Sequence, residues 1–193
     1  YLIKILPVVN HLPDIFHLQW AKALPEWYFL KELFDVRIVV SLRGAHINYS
    51  PLADKNLKIL YLKYFPKVDY FHSVSKALRD KAISYGAQKN KIEVIYSSLD
   101  IDKVIKHQKS NWSIDQEVQI ISVGRHHWKK GYHYALSAIK ILVEEGYYVK
   151  YTILTRDSPN EEILYQLNDL GIDDYVRFQH CITQEEIYKM MSK

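Results

Sequence analysis

QIISVGRHHWKKGYHYALSAIKIL, residues 119–142, runs from an apolar stretch through a basic turn into a helical pattern. VQIISV (118–123) is short and near-continuously apolar, as a strand buried on both faces is. YHYALSAIKILVEE repeats its apolar residues at helical spacing. Between them Gly124 and Gly131 bracket Arg125, His126, His127, Trp128, Lys129 and Lys130. A strand, a glycine-bounded turn and a helix form half of a βαβ unit. The turn then lies at the carboxyl end of a parallel strand, where open α/β sheets bind ligands. Glycine lets a backbone approach an anion closely, arginine offers a fork to phosphate oxygens, and lysine adds a compact charge. The helix start adds a partial positive charge. From these residues alone a phosphate cradle and a solvated basic turn both stand open. The turn is neither a Walker A loop nor GxGxxG. A metal site at His126-His127 is disfavoured: adjacent histidines diverge, and no carboxylate or cysteine stands at ligand spacing.

The same rhythm extends in both directions. Strands are expected at 14–18, 37–42, 68–74, 92–97, 149–155 and 175–180, besides 118–123. Helices are expected at about 20–34, 52–65, 75–85, 131–145, 160–170 and 183–192. The alternation predicts an α/β protein with parallel sheets. Ser75 is placed to cap the helix before Gly86, Thr183 and Glu186 have capping-box spacing, and Gly146 and Gly171 close their helices. The polar stretch 97–117 interrupts the rhythm and reads as a linker between sheets or a long surface loop. The expected division is 1–108 and 109–193, each short for a complete doubly wound domain.

The composition excludes more than it selects. Of 193 residues, 48% are hydrophobic and 25% charged, which argues against disorder. A net charge of +4 suits anionic partners without choosing one. The single cysteine, Cys181, permits no internal disulfide and fits a reducing compartment. The acceptor-like Asn48-Tyr49-Ser50 and Asn111-Trp112-Ser113 read as chance matches. No apolar run approaches the roughly 18 residues of a membrane span.

Other candidates sit at further strand ends. In SLRGAHINYSP (41–51), Arg43 could bind an anionic or hydroxylated ligand, or it could close a turn in which Gly44 supplies a special backbone angle. In PDIFHLQW (13–20), His17 lies on a strand, where a lone histidine is usually a satisfied core residue, and Gln19 follows it. LADKNLKILYLKYFPK carries Lys55, Lys58, Lys63 and Lys67 beside an apolar face, the pattern of a core-packed helix or of one lying on an anionic membrane. No GxSxG, HExxH or nucleophile–base pattern occurs. A nucleic-acid surface would interleave aromatics with cations on one face, whereas most aromatics here lie inside strands or helices.

Several of these stretches, in order, resemble family 4 of the retaining glycosyltransferases. VGRHHWKKGYHYALSAIKIL resembles the family's "VGR…KG…A" signature. SVSKALRDKAISYGAQKNKIEVIYSSLDIDKV resembles its block ending "K-I-x-V-I-x-N-G-V-D", with Ser97-Ser98-Leu99-Asp100 at the last four positions. PDIFHLQW resembles "P-D-I-I-H-x-H", with Gln19 at the second histidine. SLRGAHI resembles "T-x-H-G-x-D-I", with Arg43 at the histidine. YTILTRDSPNEEILYQLNDLGIDDYVRFQHCITQEEI resembles the following "G-x-G…L-G-L-x-D-x-V-x-F-x-G" block, with Arg156 in the loop where the glycines would be. The resemblance covers essentially the whole chain.

The resemblance implies a GT-B fold: two Rossmann-like domains, both incomplete here because the chain would lack both ends of the full protein. It implies transfer of a sugar from a nucleoside diphosphate donor, with retention, to a hydroxyl of a glycan or lipid-linked acceptor in surface polysaccharide synthesis. No metal or other cofactor is implied. Arg125 and Lys130 would carry the catalytic charge on the diphosphate, with Gly124, Gly131 and Arg156 also on the donor. His17, Gln19, Arg43 and Gly44 would line the acceptor side. The protein would be cytoplasmic, with peripheral membrane contact and no nucleic-acid partner. The family's paired glutamates have no counterpart in the chain, so this piece alone is expected to be inactive. A catalytically inactive GT-B-like binding or scaffolding domain remains the alternative.

Overall fold

In the computed structural model, residues 2–105, 117–180 and 183–192 are described. Cys181 and Asn111-Trp112-Ser113 lie outside them. The chain folds as two compact units, Tyr1–Ser98 and Leu99–Lys193, with the boundary inside the polar stretch 97–117. Strands form at all seven expected places.

The first unit holds β1 (Ile15–Leu18), β2 (Arg37–Leu42), β3 (Tyr70–Ser73) and β4 (Ile92–Val94), all parallel in the order β1-β2-β3-β4. Its helices are α1 (Leu2–Asn10), α2 (Leu24–Trp27), α3 (Phe29–Phe34), α4 (Gly44–Asn48), α5 (Ser50–Ala53), α6 (Lys55–Tyr64) and α7 (Lys76–Ile83). One face of the sheet, with Leu18, Ile38, Val40, Leu42, Phe71 and Ile92, packs into a core that includes Leu24, Leu30, Tyr61, Phe65 and Leu78. The other face carries Ile15, His17, Val39, Ser41, Tyr70, His72 and Ile95; Ile15, Tyr70 and Ile95 are 54–60% exposed, Val39 is half-buried and Ser41 is buried. Double-sided burial, expected from the apolar runs, holds in this unit for the end of β2, where Val40, Ser41 and Leu42 are all buried, and not for β1, β3 or β4. The face opposite the core mixes Ile15 and Val39 with His17, Ser41, Tyr70, His72 and Glu93, so the apolar runs are covered fully on one side only.

The expected helices at 20–34 and 52–65 are each interrupted. Pro25 opens α2 after a 3-10 turn at Ala21–Ala23, and Asp35 ends α3 in the left-handed region. Asp54 leaves helical geometry and caps α6 by accepting from the Leu57 amide at 3.1 Å. Ser75 caps α7 as expected, accepting from the Leu78 amide. The helix α1, with Pro7 inside it, and the short helix α4 were not anticipated.

The second unit holds α8 (Ile101–Ile105), β5 (Val118–Val123), α9 (Tyr132–Glu144), β6 (Val149–Thr155), α10 (Glu161–Leu170), β7 (Val176–His180) and α11 (Gln184–Met191). Its strands are parallel, with β6 between β5 and β7. β6 matches the double-sided expectation along nearly its whole length, six of its seven residues being buried. Tyr132, Leu136 and Ile139 of α9 and Ile163 and Leu167 of α10, at helical spacing, close the core against Val149, Tyr151 and Ile153. Asn160 caps α10, and the Thr183–Glu186 capping box forms at the start of α11. The polar stretch 97–117 is not wholly irregular: Asp100 accepts from the Lys103 amide and starts α8.

Candidate functional site

The basic turn stands at the carboxyl end of β5. The Gly124 amide continues the sheet by donating to the Leu154 carbonyl at 3.0 Å, and the Gly124 carbonyl accepts from the Tyr132 hydroxyl at 3.0 Å. The chain then makes a 3-10 turn at Trp128–Lys130, closed by the Lys130 amide on the His127 carbonyl. The His127 ring accepts from the Lys129 amide at 3.3 Å. Gly131 takes φ 71°, which glycine adopts without strain, and from there α9 begins. Gly124 is needed for space instead. A β-carbon there would come within 2.7 Å of Lys130 Cε, because the lysine lies folded across the strand end. Lys130 Nζ is thereby held over Gly124, 3.2 Å from that same point.

Arg125 and Lys130 are exposed and make no ion pair with a described residue. His126 departs from an exposed polar loop. Its ring packs on Tyr132 (5.5 Å between centroids) and Phe178 (5.8 Å), and both ring nitrogens are buried without a hydrogen-bond partner among the described residues. Phe178 also lines a cavity of about 250 Å³ at the carboxyl ends of β6 and β7, with Thr155, Arg156, Asp157, Gln179 and His180. The loop after β6, where the glycine-rich pair is missing, thus brings Arg156 to a cavity beside the basic turn. Gln179 and His180 were not foreseen, because YVRFQH reads only as a strand; their position at its carboxyl end was the available signal. No group of three or more His, Cys, Asp or Glu that could hold a metal ion occurs among the described residues.

The first unit has its own polar cluster at strand ends. Arg43 donates from Nη2 to Gln19 Oε1 at 2.7 Å, and its guanidinium stands 5.6 Å from the Trp20 ring. Trp20 in turn packs on His46, 4.7 Å between centroids. Gly44 supplies no special angle, contrary to the turn reading: it opens α4 with a negative φ, and a β-carbon on it would meet nothing within 4 Å. Neither strain nor packing explains a glycine there.

His17 is not a core histidine. It is exposed, and its Nε2 lies 2.9 Å from the buried Ser41 Oγ, which lies 3.1 Å from His72 Nδ1. Burial, then the neighbouring His72 and Arg43, lower the His17 pKa, which favours its neutral form. Ser41 and His72 escaped the sequence reading, although VDYFHSV places its histidine near a strand end as DIFHL does. Asp100, at the resemblance's final aspartate, ion-pairs with Lys103 at 3.0 Å besides capping α8.

The profile of Glycosyltransferase Family 4 matches residues 6–103, half of the chain. The chain belongs to glycosyltransferase family 4. Among the relatives of this family 4 chain is the amylovoran biosynthesis glycosyltransferase AmsK of Erwinia amylovora, 25% identical over 182 residues, covering 93% of the chain and 44% of AmsK. Among solved structures, Anabaena Alr3699/HepE in complex with UDP and glucose has a TM-score of 0.74 at 17% identity, over 98% of this chain and 53% of that one. The lipopolysaccharide outer core galactosyltransferase WaaB gives 0.64 at 15% identity, over 92% and 46%. The fold is therefore GT-B, and the family 4 chain spans about half the length of the relatives it matches.

Proposed function

We propose that the intact protein transfers a sugar from a nucleoside diphosphate donor to a hydroxyl of a glycan or lipid-linked acceptor, with retention and without a metal ion, in surface polysaccharide synthesis. One observation carries this: Arg125 and Lys130 stand in the turn at the carboxyl end of β5, Arg156 follows the carboxyl end of β6 and lines a cavity there, and none of the three makes an ion pair with a described residue. HepE, which shares the fold, is known in complex with UDP-glucose. On this reading the donor's diphosphate lies over Gly124 and its nucleoside side extends toward the Arg156 and His180 cavity.

As the bond from sugar to diphosphate breaks, negative charge accumulates on the departing oxygen. Fixed cations stabilise that charge where other enzymes place a metal ion. Lys130 is suited to this because its ammonium is already laid across the strand end. Gly131 positions the start of α9, whose free amides add to the same field. The same reading takes Gln19, Arg43, Gly44 and His17 as acceptor-side groups, places the protein in the cytoplasm, and puts the outer side of α6 against the membrane.

The test is transfer and donor hydrolysis by the intact protein over a panel of nucleotide sugars that includes UDP-glucose. Arg125→Ala and Lys130→Ala should each lower kcat by about 10²–10³-fold, as loss of one transition-state donor does. Full activity in both variants would remove the diphosphate assignment. Activity that needs a divalent ion and disappears with a chelator would remove the metal-free mechanism.

A further inference from the structure

In the first unit one line of side chains runs across the face of the sheet opposite the core. His17 (β1) meets Ser41 (β2) at 2.9 Å, Ser41 meets His72 (β3) at 3.1 Å, and His72 Nε2 meets the Ile95 carbonyl, just past β4, at 3.2 Å. The strand register explains why they meet. Ser41 is paired with His72, and His17 is paired with Val39, two residues before Ser41 on the same face.

The direction of the line follows from its last member. A carbonyl only accepts, so His72 Nε2 must carry a hydrogen. A neutral His72 then offers its Nδ1 as an acceptor, and the Ser41 hydroxyl donates to it. The Ser41 oxygen is left to accept, so His17 must donate from Nε2–H. His17 Nδ1 is the remaining nitrogen, and it makes no hydrogen bond with a described residue. It lies near the carboxyl end of β1, beside Arg43 and Gln19, where ligands of α/β sheets bind.

We propose that Ser41 and His72 are positioning residues that lock His17 as the Nε2–H tautomer, so that its Nδ1 lone pair accepts a hydrogen bond from a sugar hydroxyl. The ligand half of this rests on the glycosyltransferase reading; the tautomer half does not. A buried serine linking two histidines fits the role. It is small enough to be fully enclosed, it must accept and donate at once, and its hydroxyl has no other hydrogen-bond partner among the described residues. Arg43 complements it, offering donors where His17 offers an acceptor, so that a sugar hydroxyl can donate to one and accept from the other.

The experiment is ¹⁵N NMR of the histidine rings in the intact protein, with kcat/KM measured on the same samples. In the wild type the His17 resonances should report Nε2–H and a bare Nδ1. Ser41→Ala should give a mixture of tautomers and about a 10-fold lower kcat/KM. His72→Leu should do the same. His72→Asn, which keeps an acceptor where Nδ1 stood, should restore both signals. UDP and UDP-glucose serve as probes. A shift of Nδ1 with UDP-glucose and not UDP assigns the hydroxyl to the donor sugar. A shift with neither, together with the loss of kcat/KM in Ser41→Ala, assigns it to the acceptor. A wild-type Nδ1–H tautomer would overturn the lock, as would an unchanged tautomer in Ser41→Ala; a charged His72 donating toward Ser41 would produce the former. Normal kcat/KM in Ser41→Ala with scrambled tautomers would overturn the ligand role. Absence of transfer by the wild type would sink the glycosyltransferase reading and the ligand role with it, while the tautomer result would still be read from the spectra.

Discussion

At the scale of single residues, Gly124 shows how a fold can reserve space for a functional group. Its backbone is ordinary, so a side chain there is resisted by one neighbour, the folded-back Lys130. A flexible lysine can move aside with little loss of stability, but its ammonium then leaves the strand end. Gly124→Ala is therefore expected to leave Tm within about 2 °C while weakening UDP binding about 10-fold, by calorimetry and thermal melts. A fall in Tm with unchanged UDP affinity would make Gly124 a packing residue only. Gly131 differs: its φ of 71° ties it to backbone geometry, and alanine there costs about 1–2 kcal/mol of stability. The Gly–Arg…Lys–Gly pattern was legible because its residues are close in sequence. His126 was not, because its burial comes from Phe178, far along the chain.

At the scale of elements, the strands are tied at their amino ends by Asp69. Its carboxylate accepts from Lys31 of α3 at 2.5 Å and from the Ile38 amide of β2 at 2.8 Å, just before β3 begins. Burial alone would raise its pKa. The hydrogen bonds from Lys31 and Ile38, with the Lys31 and Lys91 charges, outweigh burial and hold it below the ordinary 3.8. A carboxyl lowered on folding contributes stability that is fully present above its unfolded value and lost as pH falls through the lowered folded value. Asp69→Asn should thus cost about 1–3 kcal/mol near neutral pH. It should also flatten the decline of Tm with acid below the ordinary carboxylate range, which melts at stepped pH would detect. An equally steep decline in the variant would assign the acid sensitivity elsewhere. Helix starts at Ser75 and Thr183 were readable because capping is a contact within one turn. The break at Asp54 was not singled out, since the apolar spacing continues through it.

At the scale of the whole molecule, no helix among the described residues is long and apolar enough to cross a membrane. The outer side of α5 and α6 nevertheless joins exposed Leu52, Ile59 and Leu62 to Lys55, Lys58 and Lys63, and α6 contains no acidic residue. Leu57 and Tyr61 face the core, so the exposed set is a second apolar stripe set among cations. Each lysine near an anionic surface adds roughly 1 kcal/mol. The intact protein should sediment with vesicles containing phosphatidylglycerol and not with phosphatidylcholine alone. Lys58→Glu with Lys63→Glu should lower that binding at least 10-fold. Equal binding to both vesicles, or no effect of the charge reversal, would rule out an electrostatic membrane face.

The sequence by itself determined what local physics controls: seven strand positions, the caps, the glycine stops, and the basic turn at a strand's carboxyl end. These depend on backbone preferences and on periodicity within a few residues. Tertiary structure decided which strand face is covered and that Lys130 lies across Gly124. It also decided that Arg156 shares a cavity with His180, and that His17, Ser41 and His72 form one hydrogen-bonded line. The Lys130 contact is local, but the others depend on strand register and on contacts between residues more than 20 positions apart, and side-chain pattern along one strand does not encode which residue of the next will stand beside it.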